Sequence, residues 1–223
     1  MPSATLWRQR PCGIRLERDE IADNRKYAHI PGMKRHLPIL AFLALATAAI
    51  AGPDERVADI RKWYDTVQKA KHATERKITF EAESELFSGD VTVRDFDGGW
   101  KTLVVSYGVE HAGLDEHLYF KDGALFFAYV VNHYWRFHPD STDEKPKTVD
   151  TRTEDRYYYD GNSCVRRLTR SATDDVDKVD AVVGKLEQKQ VEPGDEAKAL
   201  LERAGKILAA KTSADVLAAF EVK

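Results

Sequence analysis

Cysteine and methionine are scarce in this chain, and each scarcity excludes something. The only cysteines are Cys12 and Cys164, and the only methionines are Met1 and Met33. Cys164 alone lies in the part of the chain that we expect to fold. That part therefore cannot form an internal disulfide, even in an oxidising compartment, and it must be stabilised by packing.

Sequence motifs of common reaction types are also missing. No serine lies in a Gly-x-Ser-x-Gly turn, and Gly98-Gly99 is predicted at a hairpin tip instead of in a phosphate-binding loop. Residues 52–223 contain 26 basic and 33 acidic residues, a net charge near −7. A mildly acidic surface has no electrostatic preference for nucleic acid or anionic lipid. The sequence predicts no cofactor, no catalytic residue and no nucleic-acid partner.

Residues 33–51 have the three parts of a bacterial-type secretory signal peptide. Basic residues at 34–36 follow Met33, an apolar run of about 15 residues comes next, and the small-residue pattern Ala-Ile-Ala ends at Ala51. The run is shorter than the roughly 20 residues that a membrane-spanning helix needs. We predict cleavage between Ala51 and Gly52, with a second possible register at Ala46-Thr47-Ala48. An uncleaved membrane anchor is the alternative.

The signal peptide divides the chain into three parts. Residues 1–32 are polar and arginine-rich and lack periodicity, so we interpret them as an upstream extension from a misplaced start, with a disordered leader as the alternative. Residues 52–223 form a single predicted domain of about 172 residues, which is long enough for a hydrophobic core. We expect this domain to be periplasmic or extracellular, with no membrane span after cleavage.

The order of patterns in residues 52–223 predicts an α+β fold. Pro53 begins a helix with one apolar face, formed by Val57, Ile60, Tyr64 and Val67. An antiparallel meander of about seven strands follows, beginning with the alternating run 77–83, and the run 124–137 is apolar on both faces, as in a central strand. A polar loop is predicted over 139–153. The N-terminal helix should pack on one face of the sheet and the C-terminal helices on the other.

The C-terminal region has helical spacing. Apolar residues predict a short helix over 176–186 and a longer one after Asp195. Thr212 and Asp215 form a predicted capping box for a last short helix.

Three hairpins can be registered from turn chemistry and side-chain pairing together. The predicted turns are 97–99, 122–123 and 160–161. The predicted cross-strand pairs are Phe96–Trp100, Asp95–Lys101, Val93–Leu103 and Val91–Val105; then Phe120–Leu125, Tyr119–Phe126 and Leu118–Phe127; then Asp155–Arg166 and Glu154–Arg167.

Four histidines lie within 28 residues, at positions 111, 117, 133 and 138. In the predicted register His133 is on the opposite face from the other three, and His111 and His117 are about 20 Å apart along one strand. Ligands of one zinc ion must all reach it at about 2 Å, so no metal site is predicted. Cys164 is expected to be a small buried hydrophobe in a strand.

Aromatic side chains are the remaining functional signal, because they bury well and keep a polar tip. The candidate ligand-binding residues are Tyr119, Tyr129, Trp135, Tyr157 and His117. They suggest an exported cell-envelope binding or protein-interaction module, with a small ligand or an envelope protein as its partner. The alternative is an exported enzyme with a cavity between a helix and a curved sheet, similar in shape to cystatin-like or NTF2-like folds. Tyr119, His117 and Tyr129 would then converge in the cavity.

Overall fold

The computed structural model describes residues 52–83 and 86–222. The predicted extension at 1–32 and the signal peptide at 33–51 lie outside these residues and remain predictions. The elements in chain order are α1 (Pro53–Lys69), β1 (Thr74–Glu81), β2 (Phe87–Phe96), β3 (Trp100–Val109), β4 (Ala112–Lys121), β5 (Ala124–Phe137), β6 (Thr148–Asp160), β7 (Ser163–Asp175), α2 (Val179–Val183), β8 (Lys189–Val191), α3 (Gly194–Ala209) and α4 (Ser213–Ala219).

The strands form one antiparallel sheet of eight strands, and their order in the sheet equals their order in the chain. The predicted α+β fold, with a helix, a meander and C-terminal helices, is confirmed. The eighth strand, β8, has only three residues, which is too short to produce a periodic pattern. None of the helices in the described residues is long and apolar enough to cross a membrane.

Helices cover both faces of the sheet. Tyr64 of α1 contacts Tyr119 and Phe127, with ring centroids 5.0 and 5.5 Å apart, and these two residues define what we call the α1 face. Leu118 and Ala128 point the other way, because side chains alternate along a strand. They belong to a core cluster with residues of α3 and α4, and we call this the core face. The predicted placement is therefore confirmed for α1, α3 and α4, whereas α2 lies on the α1 face, where its Asp180 pairs with Arg152.

The apolar stripe of α1 is buried as predicted, at Val57, Ile60, Tyr64 and Val67. Burying each such side chain contributes roughly 1.5–3 kcal/mol, so this stripe is sufficient to hold the helix on the sheet. Ion pairs fix the start of the helix against the β6–β7 turn: Asp54 pairs with Arg166, and Arg56 lies 3.1 Å from Asp160.

The first hairpin has the predicted register at every pair, from Phe96–Trp100 to Val91–Val105. The second hairpin departs from it. Phe120 lies opposite Leu125 as predicted, but the register then shifts, so that Tyr119 faces Phe127 and Leu118 faces Ala128. The predicted pairs Tyr119–Phe126 and Leu118–Phe127 are wrong because of a β-bulge. The extra residue, Phe126, packs edge-on against Trp63 and Trp100, which explains why it leaves the ladder.

The third hairpin turns one residue later than predicted. Asp160 pairs with Ser163, so Gly161 is the first central residue of the turn, and its φ of 57° favours glycine. A second register shift follows at Tyr158/Tyr159. Asp155 consequently faces Thr169, and Glu154 faces Arg170. The predicted pairs Asp155–Arg166 and Glu154–Arg167 are wrong.

Two boundaries also differ from prediction, and one cap is confirmed. β6 begins at Thr148, so the polar connection after β5 is shorter than the predicted loop 139–153. The helix predicted over 176–186 is reduced to α2, and Val176 is 53% exposed. The capping box of α4 has both predicted hydrogen bonds, between Thr212 and Asp215.

Candidate functional site

On the α1 face, beside the C-terminal end of the helix, four side chains form one row across the sheet. His117 of β4 lies opposite Tyr129 of β5, which lies opposite Arg156 of β6, which lies opposite Leu168 of β7. Adjacent strands are about 4.8 Å apart, so the row spans about 15 Å. We call these four residues the cross-strand row.

Helix α1 borders this row on one side. Tyr119 lies two residues from His117 on the same face, and its hydroxyl accepts a hydrogen bond of 3.1 Å from the Gln68 amide at the end of α1. Three of the predicted site residues, His117, Tyr119 and Tyr129, are thus neighbours on one face. The bulge in β4–β5 does not separate them, because it lies nearer the hairpin tip.

A buried ionic network borders the row on the other side. Glu154 is 3% exposed and accepts hydrogen bonds from Arg152 and Arg170, with Nε distances of 2.9 and 2.8 Å. Arg152 also pairs with Asp180 of α2 at 3.2 Å. Arg170 donates to the backbone oxygens of Gly184 and Leu186, which follow α2. This network fastens α2 and its following segment to the sheet.

His133 extends the network. Its Nδ1 lies 3.2 Å from Asp150 and its Nε2 lies 2.9 Å from Arg152. Because a guanidinium only donates, Nε2 must accept, and the imidazole proton lies on Nδ1, where it is donated to Asp150. Both ring nitrogens of His133 are therefore occupied by neighbouring side chains.

The electrostatic environment is set by burial and by these partners. Burial raises the pKa of Glu154, but hydrogen bonds from Arg170 and Arg152 more than offset it, so the pKa is below the ordinary carboxyl value. Burial lowers the pKa of His117 below the ordinary histidine value, against the opposing charge of Asp115. His117 is consequently a neutral hydrogen-bonding group at neutral pH, and not a second cation.

Arg156 differs from the other arginines that β6 and β7 place on this face. Arg152 and Arg170 share Glu154, and Arg166 pairs with Asp54. Arg156 makes no hydrogen bond or ion pair with any residue in 52–83 or 86–222, and its Nε is buried without an acceptor. Its guanidinium lies 5.8 Å from the centre of the Tyr129 ring. A buried donor without an acceptor is costly, so this position favours binding of an external acceptor.

The other two predicted site residues lie elsewhere. Trp135 shares the α1 face but is six residues from Tyr129 along β5, about 20 Å away. It packs against His111, with centroids 4.2 Å apart, and beside Phe137, which is 62% exposed. Tyr157 is on the core face, where burial raises its pKa to about 12. The structure therefore brings three of the five predicted residues together and separates two.

No group of three or more metal-ligating side chains is arranged around a common point within the described part of the chain. The predicted face of His133 is nevertheless wrong. The bulge places it opposite Gly113, on the same face as His117 and His111. Its ring nitrogens are already engaged by Asp150 and Arg152, so it has no lone pair available for a metal ion.

Cys164 lies at a shallow cavity of about 260 Å³ between the β6–β7 turn and the start of α3. Its thiol is 3.2 Å from the backbone oxygen of Arg166, to which it donates. Burial raises the pKa of this thiol. Since the thiolate is the reactive form, Cys164 is a poor nucleophile at neutral pH.

Arg156 is the residue of this site that the sequence did not reveal. It lies in a strand in which charged residues are frequent, and such residues are usually taken to form a solvated face. One signal could have found it: Glu154, Arg156 and Tyr158 occupy every second position of one strand, so the cation shares a face with an aromatic residue.

No protein-family model, no curated protein and no solved structure matches this chain.

Proposed function

We propose that this protein is an exported cell-envelope binding module that holds a small ligand on the cross-strand row. The observation that carries the proposal is that the Arg156 guanidinium makes no hydrogen bond or ion pair with a described residue and has a buried Nε without an acceptor. The Nε atoms of Arg56, Arg166 and Arg203 also lack an acceptor, but each of those guanidinium groups forms an ion pair. Buried polar groups in proteins are nearly always hydrogen-bonded, and an exception suggests a ligand or an ordered water in that position. The neighbouring Glu154 is already saturated by two arginines and cannot serve as the acceptor.

Export is supported by the signal-peptide pattern at 33–51 and by the start of the first described helix. Gly52 is the N-cap residue of α1, and Pro53 is its first helical residue. Cleavage after Ala51 would thus leave a chain that starts at the N-cap of its first described helix.

A second surface supports a protein partner as an additional or alternative ligand. At the end of β5, Phe137 is 62% exposed and packs beside Trp135 on the α1 face. Exposed clusters of large aromatic residues often mark interaction sites. This surface is about 20 Å from Tyr129 along β5, so the two surfaces could be occupied independently.

The alternative function, an enzyme with a cavity between a helix and a curved sheet, has less support. His117, Tyr119 and Tyr129 do share one face. However, catalysis by an Asp–His pair requires a free Nε2, and Arg152 occupies that atom in His133. Cys164, the remaining nucleophile candidate, has a raised thiol pKa and lies near the β6–β7 turn.

Native mass spectrometry tests the proposal. The full chain is expressed with export in a bacterial host, and the protein is purified from the cell envelope without denaturation. We expect an N-terminus at Gly52 and a retained small-molecule mass. Leu168→Trp, which fills the row beside Arg156, should lose that mass. Val176→Trp, an equally bulky change at an exposed site beyond the end of β7, should keep it.

Two outcomes would contradict the proposal. Full-length protein in the cytosol, with Met1 intact, would exclude export. A ligand that remains bound in Leu168→Trp at the wild-type level, with that variant folded by circular dichroism, would place binding elsewhere.

A further inference from the structure

We infer that the ligand of the cross-strand row is an organic monoanion, a single carboxylate on an apolar body, with the carboxylate bound by Arg156. This inference rests on the proposed binding function and specifies the chemical class of the ligand. It depends on three features of the row: an uncompensated positive charge, the absence of a second cation, and apolar side chains on either side.

The positive charge of Arg156 is not compensated by its surroundings. Glu154 is engaged by two arginines, and Asp180 pairs with Arg152. Asp150 is engaged by His133 through one oxygen only, but it lies six residues from Arg156 along β6, about 20 Å away. On the next strand pair, Asp115 accepts a hydrogen bond from Ser106. Asp155 points to the opposite face, where Arg167 binds it.

The geometry of Arg156 suits a carboxylate. The Tyr129 ring holds the guanidinium by a cation–π contact, which orients it without using its donors. An arginine fork with free N–H groups binds a carboxylate through two parallel hydrogen bonds. A lysine would supply the charge without that geometry.

The remaining row residues limit the ligand to one negative charge. His117 is two strands away from Arg156, about 10 Å, and burial lowers its pKa, so it is neutral at neutral pH. A dianion or inorganic phosphate would find only one unpaired cation, because Arg94, whose charge also lowers the pKa of His117, is paired with Glu75. A neutral imidazole can hydrogen-bond a polar group at the far end of the ligand.

Apolar side chains flank these polar groups. Leu168 follows Arg156 in the row, and Val104 lies opposite His117 on β3, and both are half-buried. A ligand body that covers them would remove apolar surface from water, which adds affinity in proportion to the area buried. The combination predicts an amphiphilic carboxylate with a body that spans about 10 Å, the distance between β4 and β6.

The test compares binding of three probes by isothermal titration calorimetry: octanoate, 1-octanol and inorganic phosphate. Protein purified from the envelope is used as wild type, Arg156→Gln, Arg156→Lys and Arg61→Gln. Arg61 is an exposed arginine of α1, so Arg61→Gln makes the same charge change away from the row. Endogenous ligand is first removed by dialysis, as checked by native mass spectrometry.

We expect octanoate to bind wild type about tenfold or more tightly than either other probe, because a charge-assisted pair and an apolar body act together. Arg156→Gln should weaken octanoate binding about tenfold or more. Arg156→Lys should give an intermediate affinity, and Arg61→Gln should match wild type. Octanol binding should be the same in all four proteins.

Other results would overturn the inference in distinguishable ways. Equal octanoate affinity in wild type and Arg156→Gln, or phosphate binding as tight as octanoate, would exclude a monocarboxylate on Arg156. If the envelope-purified protein still carries a mass that Leu168→Trp loses, the binding function would survive that failure. If no probe binds and no mass is retained, both proposals are wrong.

Discussion

Arg203 on α3 forms an ion pair with Glu116 on β4, and the Glu116 side chain is 1% exposed. The pair lies between the core face of the sheet and the C-terminal helices. The Tyr107 hydroxyl lies 3.4 Å from the same carboxylate oxygen, and the second oxygen has no partner within the described residues. Burial raises the pKa of Glu116, and the charge and hydrogen bond of Arg203 oppose this.

Removing Arg203 should destabilise the protein strongly, and more so at neutral than at acid pH. Arg203→Met leaves a buried carboxylate without its counterion, which typically costs about 3–5 kcal/mol. Because the pKa of Glu116 is raised in the folded state, the contribution of Glu116 to the free energy of unfolding is fully present below its unfolded-state pKa. That contribution is lost as pH rises through its folded-state pKa. Urea unfolding at pH 4.5 and pH 7.5 measures the difference.

The matched control is Lys198→Met on the same helix, because the Lys198 side chain is 79% exposed. It should change the free energy of unfolding by no more than about 0.5 kcal/mol at either pH. A loss in Arg203→Met that is equal at both pH values would contradict the role given to Glu116.

Glu154→Gln should remove part of the acid sensitivity of the protein. Because the pKa of Glu154 is lowered in the folded state, its contribution is present above the unfolded pKa and is lost as pH falls through the folded pKa. At pH 7 the substitution leaves Arg152 and Arg170 without their shared carboxylate, and we expect a loss of about 3 kcal/mol. When the pH is lowered from about 5 to about 3, the range in which carboxyl groups titrate, the variant should lose less stability than wild type.

Glu187→Gln is the comparison for this prediction, since Glu187 is exposed and makes no ion pair with another described residue. Its unfolding curve should follow that of wild type at every pH. If the free energy of unfolding falls equally with decreasing pH in wild type and in Glu154→Gln, other carboxylates determine the acid sensitivity.

Gly89 and Gly113 should respond differently to alanine. A Cβ at Gly89 would lie 2.2 Å from the backbone oxygen of Ser106 on the neighbouring strand, whereas a Cβ at Gly113 would meet nothing within 4 Å. Gly89→Ala must therefore displace β2 from β3, with an expected loss of about 1–3 kcal/mol. Gly113→Ala should be neutral or slightly stabilising, by up to about 1 kcal/mol. Thermal unfolding followed by circular dichroism separates the two, and equal melting temperatures would contradict the close approach at Gly89.

Arg156→Met should stabilise the ligand-free protein. Its Nε is a buried donor without an acceptor, and such a group costs about 1–3 kcal/mol. Part of this cost is recovered in the variant, so we expect a gain of about 1 kcal/mol in the free energy of unfolding. Arg170→Met, on the same face, should instead lose stability because it disrupts the Glu154 pair. If both variants lose stability equally, Arg156 has a structural role.

The β2–β3 hairpin shows how far sequence reasoning reaches. Its strands alternate regularly, its turn is marked by Gly98-Gly99, and no residue leaves the ladder. Under those conditions one turn assignment determines every pair, and all the predicted pairs are confirmed. The stripe on α1 was equally predictable, because burial of one helical face depends only on local spacing.

The bulge at Phe126 shows where such reasoning ends. Nothing in the local sequence marks this residue as the one that leaves the ladder, since its displacement depends on Trp63 of α1, far away in the chain. One displaced residue reverses the faces of all positions beyond it. His133 was therefore placed on the wrong face, and its link between Asp150 and Arg152 was missed.

The candidate site was partly predictable for the same reason. His117 and Tyr119 share a strand, so their common face follows from alternation alone. Arg156 could not be identified in this way, because its role depends on the absence of a pairing acidic group nearby. Whether a charge is compensated depends on contacts from distant segments, such as that of Asp180 with Arg152.

The agreement between strand order and chain order has a consequence for how this protein folds. Each new strand joins the one just completed, so every loop closed along the way is short and its entropic cost is small. A chain delivered from its N-terminal end can build the sheet one strand at a time. The core face, however, is not covered until α3 and α4 have emerged and packed on it. A truncation before Gly194 would therefore expose a large apolar surface that is prone to aggregation.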